Sequence, residues 1–320
     1  MPFGPDVSNT KLKAPEGEEN YAAAALQALN KEGVVGKVLG NLPDEKGVPI
    51  SRGHLQGVAI RDPYAILTTS ADDGAIFVSK QSGGNYQLLE RVGDLSHPGG
   101  IQTIGDHVVV PVYSNQGAEI QIYKYTDNLR LVGRRTIESP GGKAYSAGIT
   151  NTLDAAGEFY LLAVGVSSEG DQFQFYRTPS NTPISDASCT FELFSSEQRP
   201  VGLDVTYPNG ISLITDEGRN TYLLGFHTTG LARDKGVGED LVDLSRLRFD
   251  DTRIALEKLG TFQASMEEGF AFRWGGSALV TSKTTIRIFA CERDVQPEAD
   301  NKVARINILH ASSDPIRLFE

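Results

Sequence analysis

Two of the chain's five histidines stand in matching phrases, His54-Leu55-Gln56-Gly57 and His97-Pro98-Gly99-Gly100, each three positions ahead of a glycine followed by an apolar residue. Histidine has the side-chain pKa nearest neutrality, so a pair in equivalent places suits proton transfer, and its neutral ring is the commonest metal ligand. Three more phrases share the pattern: Tyr145-Ser146-Ala147-Gly148, Arg199-Pro200-Val201-Gly202 and Met266-Glu267-Glu268-Gly269. The positions three before each glycine therefore hold His54, His97, Tyr145, Arg199 and Met266, and the residues immediately before add Gln56 and Glu268. If these side chains converge, His54 and His97 are a candidate acid and base, with Glu268 a carboxylate able to polarise an imidazole. Tyr145, Arg199 and Gln56 are then candidates to orient an anionic or hydroxylated substrate. The structural alternative is that a repeated histidine locks a neighbouring element through the backbone, while Glu268 is solvated at a rim. Two histidines with Glu268 also match a metal site of three protein ligands. Those ligands come from separate segments without the spacing of a helical metal motif, so the expectation is a site with no metal and no cofactor.

What must position these residues is a repeat. The glycines at 57, 100, 148, 202 and 269 lie 43, 48, 54 and 67 residues apart, and the shorter intervals fit the ~40–50-residue period of four-strand repeat units. In the second copy, Gly100–Thr103, His107–Tyr113, Ala118–Tyr125 and Leu129–Ile137 read as four strands, separated by turn-forming clusters such as Gly105-Asp106. The first copy repeats the order as Gly57–Ile60, Ala65–Thr69, Ala75–Ser79 and Tyr86–Val92, and the third as Gly148–Asn151, Phe159–Val166, Phe173–Arg177 and Thr190–Phe194. The fourth is expected at Gly202–Thr206, Ile211–Thr215, Thr221–His227 and Ala255–Phe262, with the charged stretch Gly230–Asp251 as a surface excursion. The fifth supplies Gly269–Arg273, Ala278–Thr281 and Thr285–Cys291, and either Val303–Leu309 or Val35–Leu42 completes it.

This layout resembles the β-propeller superfamily, and the five glycine phrases resemble its five-bladed members. The resemblance covers about residues 34–320 and is architectural, because the chain has no WD dipeptide signature and no kelch double glycine in register. It implies an all-β fold: a five-bladed β-propeller of four-stranded antiparallel blades, closed by one or both terminal strands. It also implies that the loops entering the innermost strands and those joining second to third strands open at one mouth. That would bring Asp72, Asp73, Glu169, Asp171, Asp216 and Glu217 to the same face. Arg61-Asp62-Pro63 resembles a phrase of five-bladed glycosidases but follows the innermost strand, on the opposite face. Ahead of the propeller, residues 1–33 form an arm in which Glu18–Lys31 is rich in helix formers and ends before Gly33, with Ala22, Leu26 and Leu29 on one face.

Composition narrows the partners. Thirty Lys and Arg against 41 Asp and Glu give a net charge of -11, and no basic run makes a phosphate-binding stripe, which argues against nucleic acid. No stretch approaches the roughly 20 apolar residues of a membrane span, and Met1–Gly17 lacks the features of a secretory leader, so a cytoplasmic protein is expected. Cys189 and Cys291 make no disulfide framework. The oligomeric state is not written in the pattern. Known five-bladed propellers include lectins, glycoside hydrolases and nucleotide phosphatases, so three functions stay open. The first is an enzyme with one small-molecule site and lyase, isomerase or hydrolase chemistry by acid and base. The second is an interaction scaffold, for which Trp274 is the one aromatic candidate. The third is a carbohydrate-binding propeller, which needs more uniform blades than these.

Overall fold

The computed structural model describes residues 22, 26, 34–40, 54–70, 74–83, 85–115, 117–126, 128–137, 142–167, 172–186, 189–198, 210–230, 238–250, 253–282, 285–294, 296–298 and 301–312. Strand β1 (Val34–Gly40) precedes the first blade, formed by β2 (His54–Arg61), β3 (Tyr64–Ser70), β4 (Gly74–Ser82) and β5 (Asn85–Leu95). The second blade is β6 (Gln102–Ile104), β7 (His107–Ser114), β8 (Gly117–Lys124) and β9 (Arg130–Thr136). The third is β10 (Lys143–Asp154), β11 (Gly157–Ser167), β12 (Gln172–Arg177) and β13 (Glu192–Gln198). The fourth is β14 (Gly210–Thr215), β15 (Thr221–Thr228), β16 (Asp240–Phe249) and β17 (Ile254–Ala264). The fifth begins with β18 (Phe270–Val280) and β19 (Thr285–Glu292). The short β20 (Gln296–Glu298) follows and pairs with β21 (Asn301–Ser312), which also pairs with β19.

The strand closing the ring is both of the expected candidates at once. β21 is the third strand of the fifth blade, and β1 pairs with it antiparallel from Val34↔Ile308 to Gly40↔Lys302 as the outer strand. β1 also touches β5 of the first blade in a short parallel register, Val38↔Tyr86 and Leu39↔Gln87. The innermost strands meet in a closed cycle, β2 to β6 to β10 to β14 to β18 and back to β2. The molecule is a five-bladed β-propeller.

Between each pair of neighbouring blades lies one apolar cluster, because every blade buries both faces. Leu55, Val58, Trp274 and Phe289 join the fifth blade to the first, and Ile66, Val78, Val108 and Val110 join the first to the second. Tyr160, Leu162 and Ile120 join the second to the third, and Phe175, Leu213 and Leu223 the third to the fourth. Tyr222, Phe226 and Phe272 join the fourth to the fifth, and Ala22 and Leu26, both helical and buried, belong to that cluster. The rest of the expected helix lies outside the described residues.

The fourth blade corrects the sequence reading in two ways. Asp240–Phe249, expected within a surface excursion, is its third strand, and the innermost strand is Gly210–Thr215 rather than Gly202–Thr206, which lies outside the described residues. The glycines that crowd the axis show why. A Cβ on Gly57 would meet the Gly99 oxygen at 2.6 Å, one on Gly148 the Leu213 nitrogen at 3.0 Å, and one on Gly210 the Gly276 oxygen at 1.8 Å. One on Gly275 would meet the Gln56 oxygen and the Gly57 Cα, each at 3.0 Å. Gly210 and the Gly275-Gly276 pair, rather than Gly269, thus sit where the innermost strands of the last blades crowd their neighbours.

Candidate active site

The innermost strands all run away from one face, where His54, His97, Lys143 and Phe270 lie at or beside their entrances. The ladders are broken there. β2 carries a bulge between Leu55 and Gly57, at Gln56; β10 carries one between Ala144 and Ser146, at Tyr145. β18 carries a longer one between Ala271 and Gly276, which holds Arg273 and Trp274. A bulge re-aims a side chain and bends the strand, so three of the five blades turn out of regular pairing where they reach the mouth. In the second blade His97 itself is in the left-handed region (φ 46), sparsely populated for a residue other than glycine.

His54 is the centre of the cluster. Its ring meets Trp274 edge-on with centroids 5.2 Å apart, and Trp274 in turn lies beneath two guanidinium groups, Arg273 at 5.3 Å and Arg293 at 5.4 Å. The peptide of Arg293 is fixed against the first blade, its carbonyl accepting from Leu55 N at 2.8 Å. His54 Nε2 is buried and meets no protein hydrogen-bond partner among the described residues. Its pKa is lowered to about 4, first by burial, then by the charges of Arg273 and Arg293 and to a smaller extent His97, with a side-chain hydrogen bond to Gln56 acting in the opposite sense. The imidazole is therefore neutral at physiological pH. Gln56 is itself 8% exposed.

The second and third blades extend the cluster. His97 packs on Tyr113 with ring centroids 4.7 Å apart, and Lys143 Nζ stands 5.6 Å from the Tyr113 centroid. Burial raises the Tyr113 pKa, against the opposing pull of Arg273, so the phenol keeps its proton. Beyond Tyr113 an open groove of about 960 Å³ crosses the upper end of the second blade to Lys143.

Of the six residues expected at the site, His54, Gln56 and His97 are brought together. Tyr145 is largely buried, its ring laid against Gly165, while its carbonyl accepts from Gly100 N at 2.9 Å and ties the third blade to the second. Glu268 lies exposed in the turn before Phe270, and the groups that shift His54 include no carboxylate. Arg199 lies outside the described residues. Among the described residues no group of three His, Cys, Asp or Glu side chains is placed to hold a metal ion. Asp216 and Glu217 sit in the turn after the innermost strand of the fourth blade, at the opposite end from His54, because that blade is shifted by one strand from the expected order. Asp72, Asp73, Glu169 and Asp171 lie outside the described residues. Asp62, at the far end of β2, is paired with Arg287 at 2.7 Å.

Sequence reasoning missed Arg273, Arg293, Tyr113 and Lys143, and read Trp274 only as a candidate for an interaction surface. Arg273 was within reach of the same rule, since it stands three residues before Gly276, as His54 does before Gly57; counting from Gly269 instead pointed to Met266. Arg293, Tyr113 and Lys143 sit at strand ends, where no motif marks them.

No protein-family model matches this chain, and no curated protein matches it. Among solved structures, a GH62 hydrolase in complex with xylotriose is 8% identical over 85% of this chain and 97% of its own, with a TM-score of 0.45. The Bombyx mori GH32 beta-fructofuranosidase BmSUC1 is 10% identical over 88% of this chain and 64% of its own, with a TM-score of 0.47. Likenesses this distant assign neither an activity nor a substrate to this chain. No described helix is long and apolar enough to cross a membrane.

Proposed function

We propose that the protein is an enzyme for a small anionic molecule, with a single site at the propeller mouth and proton transfer through His54. The observation that carries this is the buried, unpartnered Nε2 of a neutral imidazole held beside two guanidinium groups. Arg273 and Arg293, the latter with its Nη1 3.4 Å from the neighbouring Asp294, carry planar guanidinium groups suited to a carboxylate or phosphate. A bound anion offsets the same two charges that depress the His54 pKa. It thereby raises the basicity of the imidazole toward the working pH at the moment a substrate is present. His54 then accepts a proton at Nε2, Arg273 and Arg293 stabilise the negative charge left on the substrate, and the Tyr113 hydroxyl or His97 returns a proton on the other side, after which His54 gives up its proton and the donor regains one by exchange with water. This cycle serves an elimination, an isomerisation or a hydrolysis alike.

The scaffold reading relied on an exposed Trp274, which is 4% exposed. The lectin reading relied on equivalent pockets, and the mouth residues differ from blade to blade. The test is turnover of a panel of small carboxylates and phosphates and their neutral counterparts, followed by proton NMR. The expected result is turnover of anions only, with kcat reduced about 10²-fold or more by His54→Ala and KM raised by Arg273→Ala, at unchanged melting temperature. Unaltered kcat in His54→Ala, or equal turnover of neutral counterparts, overturns the proposal.

A further inference from the structure

An open groove lies beside the mouth. It shares Tyr113 and Lys143 with the cluster, and Tyr113 stands between the groove and His97. At about 960 Å³ it lies at the upper end of the ~300–1,000 Å³ range of small-molecule sites, more than a single anionic head group needs. Its floor is polar and held in place. Arg134 pairs with Glu119 at 2.8 Å, Gln121 Nε2 donates to the same Glu119 oxygen, and Gln121 Oε1 accepts from the Tyr123 hydroxyl. Ser96, Ser114 and Thr136 add hydroxyls around this row.

A surface that alternates fixed donors and acceptors in this way suits a ligand whose own groups are both at once, which is the property of hydroxyls. A peptide held by its main chain would instead use the outer edge of β9, on which Arg134 and Thr136 stand; the row of side-chain donors and acceptors across the groove favours hydroxyls, and triglutamate separates the two. We propose that this groove is a second subsite that takes the hydroxyl-rich body of an acidic oligosaccharide, whose charged group lies at Arg273 and Arg293. This rests on the mouth being an anion site, as proposed above, and adds the size and class of what it holds.

Calorimetry with trigalacturonate, galacturonate, maltotriose and triglutamate separates the alternatives. In the wild type, trigalacturonate is expected to bind at least tenfold more tightly than galacturonate, and maltotriose at least a hundredfold more weakly than trigalacturonate. The paired change Glu119→Ala with Arg134→Ala, one side chain partly buried and the other exposed, should reduce the trimer to the affinity of the monomer and leave the monomer unaffected. Arg273→Ala should weaken both acids. If trimer and monomer bind equally, the groove assignment falls and the mouth reading survives. If triglutamate binds more tightly than trigalacturonate, the saccharide class is overturned. If neither sugar acid binds, this inference fails; failure of all small anions in the turnover panel would remove the mouth reading with it.

Discussion

At the scale of single residues, the site is organised by where charge is buried. Asp240, 7% exposed, accepts from Thr228 Oγ1 at 2.7 Å and from Phe272 N at 2.8 Å, while Thr228 Oγ1 accepts from Arg273 N at 2.9 Å. The carboxylate thus fixes the backbone of the bulge that presents Arg273, and burial raises its pKa to about 6 despite those hydrogen bonds. A carboxyl group with a raised folded-state pKa contributes stability at low pH that is lost as pH rises through about 6. His54 acts in the opposite direction: its lowered pKa leaves stability intact above about 6.5 and removes it as pH falls toward about 4. Melting curves between pH 4 and 7 should therefore separate the two groups. Between about pH 4 and 6 the two contributions oppose each other, so His54→Gln should make stability fall more steeply as pH rises through this window and Asp240→Asn should make it rise more steeply; identical profiles for both variants and the wild type would refute this assignment. His54 and His97 were legible in the sequence because their glycines mark the same register. Asp240 was not, because a charged residue read as solvated unless its partners, Thr228 and Phe272 N, were known.

At the scale of elements, strand placement followed from alternation and turns wherever a strand showed one polar face. Ala118–Tyr125 alternates and was found as β8, and the first three blades fall within a few residues of expectation. β16 escaped for a physical reason. Its Asp240 and Asp243 are buried, the latter bonded by Thr261 and 3.3 Å from Lys258, so the strand carries charge inward and resembles a loop on paper. The consequence was a shifted fourth blade, and the glycine count went with it. Gly210 tests the corrected register: a Cβ there would lie 1.8 Å from the Gly276 oxygen, a backbone atom that cannot swing aside. Gly210→Ala should cost about 3 kcal/mol or more, the upper end of overpacking penalties, measured by denaturant unfolding. A loss below about 1 kcal/mol would mean that the innermost strands do not crowd there.

At the scale of the whole molecule, ring closure makes the site. His54 belongs to the first blade, His97 to the approach to the second, and Arg273 and Arg293 to the last, more than two hundred positions beyond His54. They meet because β21 and β1 complete the fifth blade and seat it against β2, with Leu55 N bonded to Arg293 O. A repeat pattern could reveal that five units share a mouth, and their differing residues suggested one site rather than five. It could not reveal which strand ends face inward across the seam. The most direct measurement of the account is an NMR titration of His54 in the wild type, in Arg273→Ala, and in the wild type with saturating galacturonate. The prediction is a pKa near about 4 in the free protein, moved upward both by loss of Arg273 and by the bound anion. A value near the ordinary 6.5 that responds to neither would contradict a site built by the last blade's cations against the first blade's histidine.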